Sequence, residues 1–154
     1  MKTLARALGF GLAGLAQAAS IATPWSGQPL WWLQLISLAA LAWQLDTLRE
    51  RAQPRPAWRS AALHAWLFST AWLCGTFWWL FVSMHTYGGL PAPLAAIAVL
   101  ALSAALSLYY AAAAAFYVAF APVRRTGAVL LFAAGWTFAE LLRNSLFTGF
   151  PWGA

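Results

Sequence analysis

The chain has 154 residues, of which 63% are hydrophobic and only 8% are charged, and its mean hydropathy is +0.69. Soluble domains are nearer half apolar and a quarter charged, and a domain of this size still exposes about a third of its surface. The composition therefore excludes an ordinary water-soluble domain and predicts a protein whose surroundings are largely lipid.

The net charge of +6 does not by itself indicate a nucleic-acid partner. Proteins that bind nucleic acid present basic faces that release counterions from phosphates. Here almost all the cationic residues lie in short clusters between apolar stretches, and no basic face is interleaved with stacking aromatics. The sequence therefore predicts that nucleic acid is not a partner.

Five apolar stretches reach, or nearly reach, the roughly 20 residues that a helix needs to cross a bilayer. They cover residues 4–22, 30–45, 61–83, 94–120 and 127–142. No repeat and no Ser/Gly linker divides them. The pattern predicts an all-α, polytopic transmembrane bundle of about five spans, forming one domain over residues 1–154.

The cationic residues also predict an orientation. Three of the segments that flank the stretches are basic, and they contain these residues: Lys2 and Arg6; Arg49, Arg51, Arg55 and Arg59; Arg124 and Arg125. The connections at 23–29 and 84–93 contain no Lys or Arg. Because cationic loops stay on the cytoplasmic side, we expect the N-terminus and all three basic segments in the cytoplasm.

The first stretch has two possible interpretations. Lys2 and Arg6 followed by Ala16-Gln17-Ala18 resemble a secretory signal with its cleavage site. A retained span is favoured by small residues that allow helices to approach closely, namely Gly9, Ala13, Gly14 and Ala18.

Acidic residues are limited to Asp46, Glu50 and Glu140. We expect the first two to form solvated pairs with nearby arginines, such as Asp46 with Arg49. Glu140 lies near the end of an apolar stretch, where ionisable groups are costly, and Arg143 follows on the same helix face. Two roles remain open: an ion pair at the outer interface, or a contact that holds a lipid head group or a partner domain.

Other reactive side chains are scarce. Cys74 lies within an apolar stretch, which favours packing over a reactive thiol, since no basic neighbour would activate it. Neither His64 nor His85 has a second ligand at a metal-binding spacing. His85 belongs to a turn whose Gly88 and Gly89 permit positive φ. The sequence predicts no metal, no cofactor and no catalytic constellation.

Two segments carry a family resemblance. One is GTFWWLFVSMHTYGGLP at residues 75–91, and the other is ELLR at 140–143 followed by LFTGFPW at 146–152. In order, spacing and predicted membrane side, both resemble segments of bacterial apolipoprotein N-acyltransferases. The resemblance covers this whole chain but only the N-terminal membrane part of that family. Where family members often have Gly-Trp after the arginine, this chain has Asn144-Ser145.

The resemblance implies an activity for the full-length protein. The family joins a bundle in the bacterial inner membrane to a periplasmic nitrilase-like domain with a Glu-Lys-Cys triad, followed by a further span. Its members transfer an acyl chain from a phospholipid to the N-terminal lipidated cysteine of apolipoproteins, through a thioester. The expected partners are membrane lipids, the phospholipid acyl donor and the apolipoprotein. The triad lies outside this chain, and Cys74 does not replace its cysteine.

By the same resemblance, this chain would contribute positioning residues rather than catalytic ones. The candidates for holding substrate or the catalytic domain are His85, Tyr87, Gly88, Gly89, Glu140, Arg143, Thr148, Gly149, Phe150, Pro151 and Trp152. The stretch after residue 142 reaches Ala154 without a cap or closing charge, which suggests a truncated chain. The alternatives are a transporter segment, which the lack of matched broken helices disfavours, and a non-catalytic assembly subunit.

Overall fold

A computed structural model describes residues 2–23, 26–50 and 57–146. Within these ranges the regular structure is helical, which confirms the all-α class. The helices are α1 (Lys2–Ile21), α2 (Trp31–Glu50), α3 (Ala57–Thr76), α4 (Trp78–Val82), a π-helical turn (Ser83–Tyr87), α5 (Ala92–Phe120) and α6 (Arg125–Leu146).

Helix α3 lies at the centre of the bundle, between α1 and α5, while α2 packs on α1 and α6 packs on α5. Phe10, Phe68 and Leu73 are fully buried in this core. Small residues make the α1–α3 contact close: a Cβ added at Gly75 would lie 2.6 Å from the Cβ of Ala18, and one added at Gly14 would overlap the Phe68 carbonyl. The predicted close-packing role of the small residues in α1 is confirmed at these positions.

The surface of the bundle is apolar in the manner of a membrane protein. Leu4, Leu8 and Leu12 are exposed along α1, and Ile97 and Leu100 along α5. Two of the described helices, α1 (counted from Leu4) and α5, are long and apolar enough to cross a membrane. A third span results if α3 and the segment Trp78–Tyr87 are counted as one bent helix. The five-span count and the cytoplasmic N-terminus stay predictions.

The stretch 61–83 does not form one continuous helix. Helix α3 ends at Thr76, and the segment Trp78–Tyr87 is bent from it by 52°. The Thr76 hydroxyl donates to the Trp72 carbonyl at 3.1 Å, and Gly75 precedes it; both features are associated with helix bends. The bend redirects the aromatic segment that carries His85 away from the axis of α3.

The end of α2 also differs from expectation, because the helix continues to Glu50 instead of ending at residue 45. Asp46 accepts a hydrogen bond from the Tyr117 hydroxyl at 2.7 Å, and Arg49 donates to the Ala121 carbonyl at 2.5 Å. The predicted solvated pairing of Asp46 with Arg49 is therefore wrong. Each residue instead binds the end of α5, which ties the last turns of α2 to that helix.

We expect Gly14→Ala to destabilise the bundle. The added methyl would overlap the Phe68 backbone carbonyl, which cannot move independently of α3, so the expected loss is about 1–3 kcal/mol. Gly11→Ala is the matched control, since its added Cβ would meet nothing within 4 Å. Thermal unfolding of the purified protein in detergent measures the difference, and equal stability of the two variants would contradict the α1–α3 packing.

Candidate functional site: an ion pair between two helices and a glycine-containing turn

Tyr110, Glu140 and Arg143 form a polar cluster between α5 and α6. Arg143 donates from Nη2 to Glu140 Oε2 at 2.7 Å, and the Tyr110 hydroxyl donates to Glu140 Oε1 at 2.6 Å. The spacing of three residues places Glu140 and Arg143 on one face of α6, and Tyr110 reaches them from α5. Both oxygens of the Glu140 carboxylate therefore have a donor.

Aromatic rings surround this cluster. The ring centroid of Tyr110 lies 4.8 Å from that of Trp136 and 5.3 Å from that of Trp72, and the two tryptophans are stacked at 5.9 Å. These contacts join α3, α5 and α6. They also keep the surroundings of the charges apolar, where hydrogen bonds are stronger and unpaired polar groups are more costly.

Arg143 uses only part of its hydrogen-bonding capacity, although it is buried and only 1% exposed. Within the described part of the chain its Nε and Nη1 atoms are buried and have no hydrogen-bond partner. The same is true of Oδ1 of the adjacent Asn144. Leaving a buried donor without a partner costs about 1–3 kcal/mol. The arginine thus has donor capacity beyond its ion pair with Glu140, which is the one salt bridge among the described residues.

The cluster lies at the α5–α6 contact, where Arg143 and Tyr110 are each 1% exposed and the Glu140 side chain is 27% exposed. Tyr110 follows Ala92, the first residue of α5, by 18 residues, which corresponds to about 27 Å along the helix. Helix α6 runs antiparallel alongside the later half of α5, so the ion pair stands about two thirds of the way along α5. Its expected position at the outer membrane interface stays a prediction.

A second group of candidate residues forms the turn at residues 83–90. The Gly88 N–H donates to the Ser83 carbonyl at 2.9 Å, which closes a π-helical turn, a feature frequent at functional sites. His85 Nδ1 donates to the Leu90 carbonyl at 2.8 Å. His85 is exposed, and Tyr87 is 85% exposed.

The two glycines of this turn act differently. Gly89 has φ +67°, the left-handed conformation that the sequence reasoning expected. Gly88 has an ordinary φ of −86°, but a Cβ there would lie 2.7 Å from the Met84 carbonyl oxygen. Gly89 therefore provides the conformation of the turn, and Gly88 allows its close backbone approach.

The structure brings only some of the predicted site residues together. Glu140 and Arg143 meet, while His85, Tyr87, Gly88 and Gly89 lie in the turn that precedes α5, away from the ion pair. Thr148, Gly149, Phe150, Pro151 and Trp152 lie outside the described residues. Tyr110 was missed, because a lone tyrosine in an apolar stretch gives no signal of a contact between helices. No three His, Cys, Asp or Glu residues of the described ranges could hold a metal ion.

We expect Tyr110→Phe to destabilise the protein by about 1–3 kcal/mol, because Glu140 Oε1 would lose its donor while the ring packing remains. Tyr109→Phe is the control: it removes the same group from the neighbouring residue, whose half-buried ring lines an apolar groove. Chemical or thermal unfolding in detergent measures both. An equal loss of stability in the two variants would show that the hydrogen bond from Tyr110 to Glu140 does not stabilise the protein.

Comparison with known proteins identifies the family. A family profile described as the apolipoprotein N-acyltransferase N-terminal domain matches residues 12–154. The chain is 62% identical over 143 residues to an apolipoprotein N-acyltransferase of Verminephrobacter eiseniae, covering 93% of this chain and 26% of that protein. Proteins of the same name match at 40% identity in Ralstonia nicotianae, covering 79% of this chain and 23% of the relative, and at 34% in Pseudomonas putida, covering 92% and 27%.

The chain spans about a quarter of the length of these curated relatives. Its apolar helices and its relatives point to a bacterial membrane protein, and the chain belongs to the apolipoprotein N-acyltransferase family, as its N-terminal part.

Proposed function

We propose that this chain is the membrane-embedded part of an enzyme that transfers an acyl chain from a phospholipid to the N-terminal lipidated cysteine of apolipoproteins. The observation that carries this is the 62% identity to an apolipoprotein N-acyltransferase across 93% of the chain. The catalytic groups would come from the part of the full-length protein that lies outside this chain. Cys74, half-buried in α3, has no role in the proposed reaction.

The proposed reaction has two steps, as the family resemblance implies. In the first, a cysteine thiol of the nitrilase-like domain attacks an ester carbonyl of the phospholipid. A thioester forms, the ester bond breaks, and a lysophospholipid leaves with the proton. In the second, the amino group of the lipidated cysteine attacks the thioester, an amide forms, and the enzyme thiol is restored.

The proposed topology places the chain in the inner membrane as a multi-pass protein with five spans and a cytoplasmic N-terminus. The alternation of cationic and cation-free connections supports it. The apolar exposed surfaces of α1 and α5 agree with it. With this orientation the turn at residues 83–90 faces the periplasm, on the side of the catalytic domain.

The turn at residues 83–90 is the part of the described chain best suited to meet a lipid substrate. Trp78, Trp79 and Tyr87 are exposed beside it, and amphipathic rings of this kind settle at the level of lipid head groups. His85 uses Nδ1 to bind the Leu90 carbonyl, so in its neutral form Nε2 is left as an acceptor. We assign this turn the role of positioning the lipid substrate for the catalytic domain.

Acyl transfer by the full-length protein tests the function. In phospholipid vesicles with a lipidated acceptor peptide, we expect one N-acylated peptide for each lysophospholipid formed. We further expect Gly89→Ala to lower kcat/KM by about tenfold, which corresponds to about 1.4 kcal/mol of lost transition-state stabilisation, because it reshapes the positioning turn.

Gly27→Ala provides the matched control for this substitution. Gly27 also has φ +67°, and at both positions an added Cβ would meet nothing within 4 Å, so the backbone strain of about 1–2 kcal/mol is the same. If the two variants have equal kcat/KM, the turn does not position the substrate. Absence of any N-acylated peptide with the wild-type protein would refute the enzymatic function and favour an assembly subunit.

Reporter fusions test the topology. We expect fusions within residues 49–59 to report the cytoplasm and fusions at Gly88 to report the periplasm, because the cationic connection is retained inside. Replacing Arg49, Arg51, Arg55 and Arg59 by neutral residues should reduce this preference. Periplasmic activity of a fusion within residues 49–59 of the unaltered sequence would contradict the proposed orientation.

A further inference from the structure

A groove runs between α5 and α6 on the exposed side of the bundle. It lies between residues 108–116 of α5 and residues 131–142 of α6 and has a volume of about 650 Å³. Small residues on both helices leave this space. A Cβ added at Gly135 would lie 3.9 Å from the Cβ of Ala113, and Ala112 and Ala134 line the groove beside them. Ligand-binding clefts in proteins have volumes of this order and linings that are mostly apolar.

The groove offers almost no polar partner to an occupant. None of the described residues that line it is charged, and the Tyr109 hydroxyl is the one polar side-chain group among them. Leu108, Phe116 and Phe138 border the groove, and each is more than half exposed. A ligand whose buried part is polar would leave groups without hydrogen-bond partners, which is costly. The lining therefore favours a hydrocarbon.

The length of the groove matches that of a lipid tail. Helices α5 and α6 lie antiparallel, in a register in which Tyr110 meets Glu140 and Tyr117 meets Phe132. The lining covers eight residue steps of α5 and eleven of α6, which is about 12–17 Å along the helices. The hydrocarbon core of a bilayer is about 30 Å thick, so the acyl chains of one leaflet extend over about 15 Å.

The width of the groove separates an acyl chain from a helix as the occupant. Over this length the volume corresponds to a cross-section of about 40–50 Å². A helix with its side chains is about 10–12 Å across and needs about twice that area, so a helix would lie over the groove without filling it. Carbon atoms in contact are about 4 Å apart, so an extended hydrocarbon chain needs about 20 Å², and two chains fit side by side.

We propose that the groove between α5 and α6 binds the acyl chains of one membrane phospholipid, which is held against the bundle as an intact lipid. The chains contact both helices at once. They therefore add van der Waals contacts across the α5–α6 interface, where helix association in a membrane gains little from the hydrophobic effect. The inference goes beyond the proposed acyl transfer and does not depend on it, because the bound lipid is not consumed.

Photolabelling of the full-length protein in phosphatidylglycerol nanodiscs tests the proposal. The discs include a phosphatidylglycerol with a diazirine in the middle of one acyl chain, and mass spectrometry locates the labelled residues. We expect labelling of residues 108–116 and 131–142 to exceed that of the exposed positions Leu8 and Ile97 by about tenfold, which a modest preference over bilayer lipid suffices to give.

Two pairs of variants fill the groove or leave it open. Ala134→Phe places a ring in the groove, and Ala133→Phe changes the neighbouring exposed alanine, which does not line it. Ala112→Leu and Ala105→Leu form a second such pair on α5, so the test does not depend on one substitution. We expect Ala134→Phe and Ala112→Leu to lower the excess labelling by about tenfold, because the added atoms occupy the space of the chains. The two controls should keep it.

Three results would overturn the proposal. Equal labelling of the groove and of the exposed positions would show that the groove holds bilayer lipid without preference. Protection of the groove from the label would show that a protein segment or a second copy covers it. Excess labelling that persists in both Ala134→Phe and Ala112→Leu would show that the label does not come from a chain in the groove. None of these results bears on whether the full-length protein transfers acyl chains.

Discussion

The ion pair between a buried Arg143 and a partly exposed Glu140 constrains how α6 can join the bundle. Burying the Arg143 guanidinium without an opposite charge is costly, and Glu140 supplies that charge at 2.7 Å. Tyr110 completes the carboxylate's coordination across the α5–α6 interface at 2.6 Å. The rotation and depth of α6 against α5 are thereby fixed by directional bonds, which apolar side chains facing lipid could not provide.

The remaining helices meet through close backbone contact. Gly14 lies against the Phe68 carbonyl, and Gly75 lies against Ala18, so α1 and α3 approach more closely than large side chains would allow. Helix α3 then presents Phe68 and Trp72 to Trp136 on α6. The same central helix thus links the small-residue contact on one side to the aromatic surroundings of the ion pair on the other.

Much of the fold could be predicted because lipid selects long apolar helices and the sequence displays them directly. The extension of α2 to Glu50 could not, since it accompanies bonds between distant stretches, such as Tyr117 to Asp46. The bend after Thr76 could not either, because an apolar stretch does not reveal local bonds such as that from Thr76 to the Trp72 carbonyl. The site shows the same division. The i,i+3 spacing predicted that Glu140 and Arg143 would meet, whereas the contact of Tyr110 with Glu140 follows from the antiparallel register of α5 and α6.

The two candidate regions differ in mechanical character, and this difference bears on their roles. The turn at residues 83–90 is exposed and held by a few backbone bonds, such as that from Leu90 to the Met84 carbonyl at 3.0 Å, so it can adjust to a substrate at little cost. In the polar cluster, Trp72 and Trp136 pack against the Tyr110 ring, and Arg143 is 1% exposed, so movement there would separate a buried charge from its partner. The turn is therefore the region that can change conformation at low cost, whereas the polar cluster fixes how α5 and α6 pack.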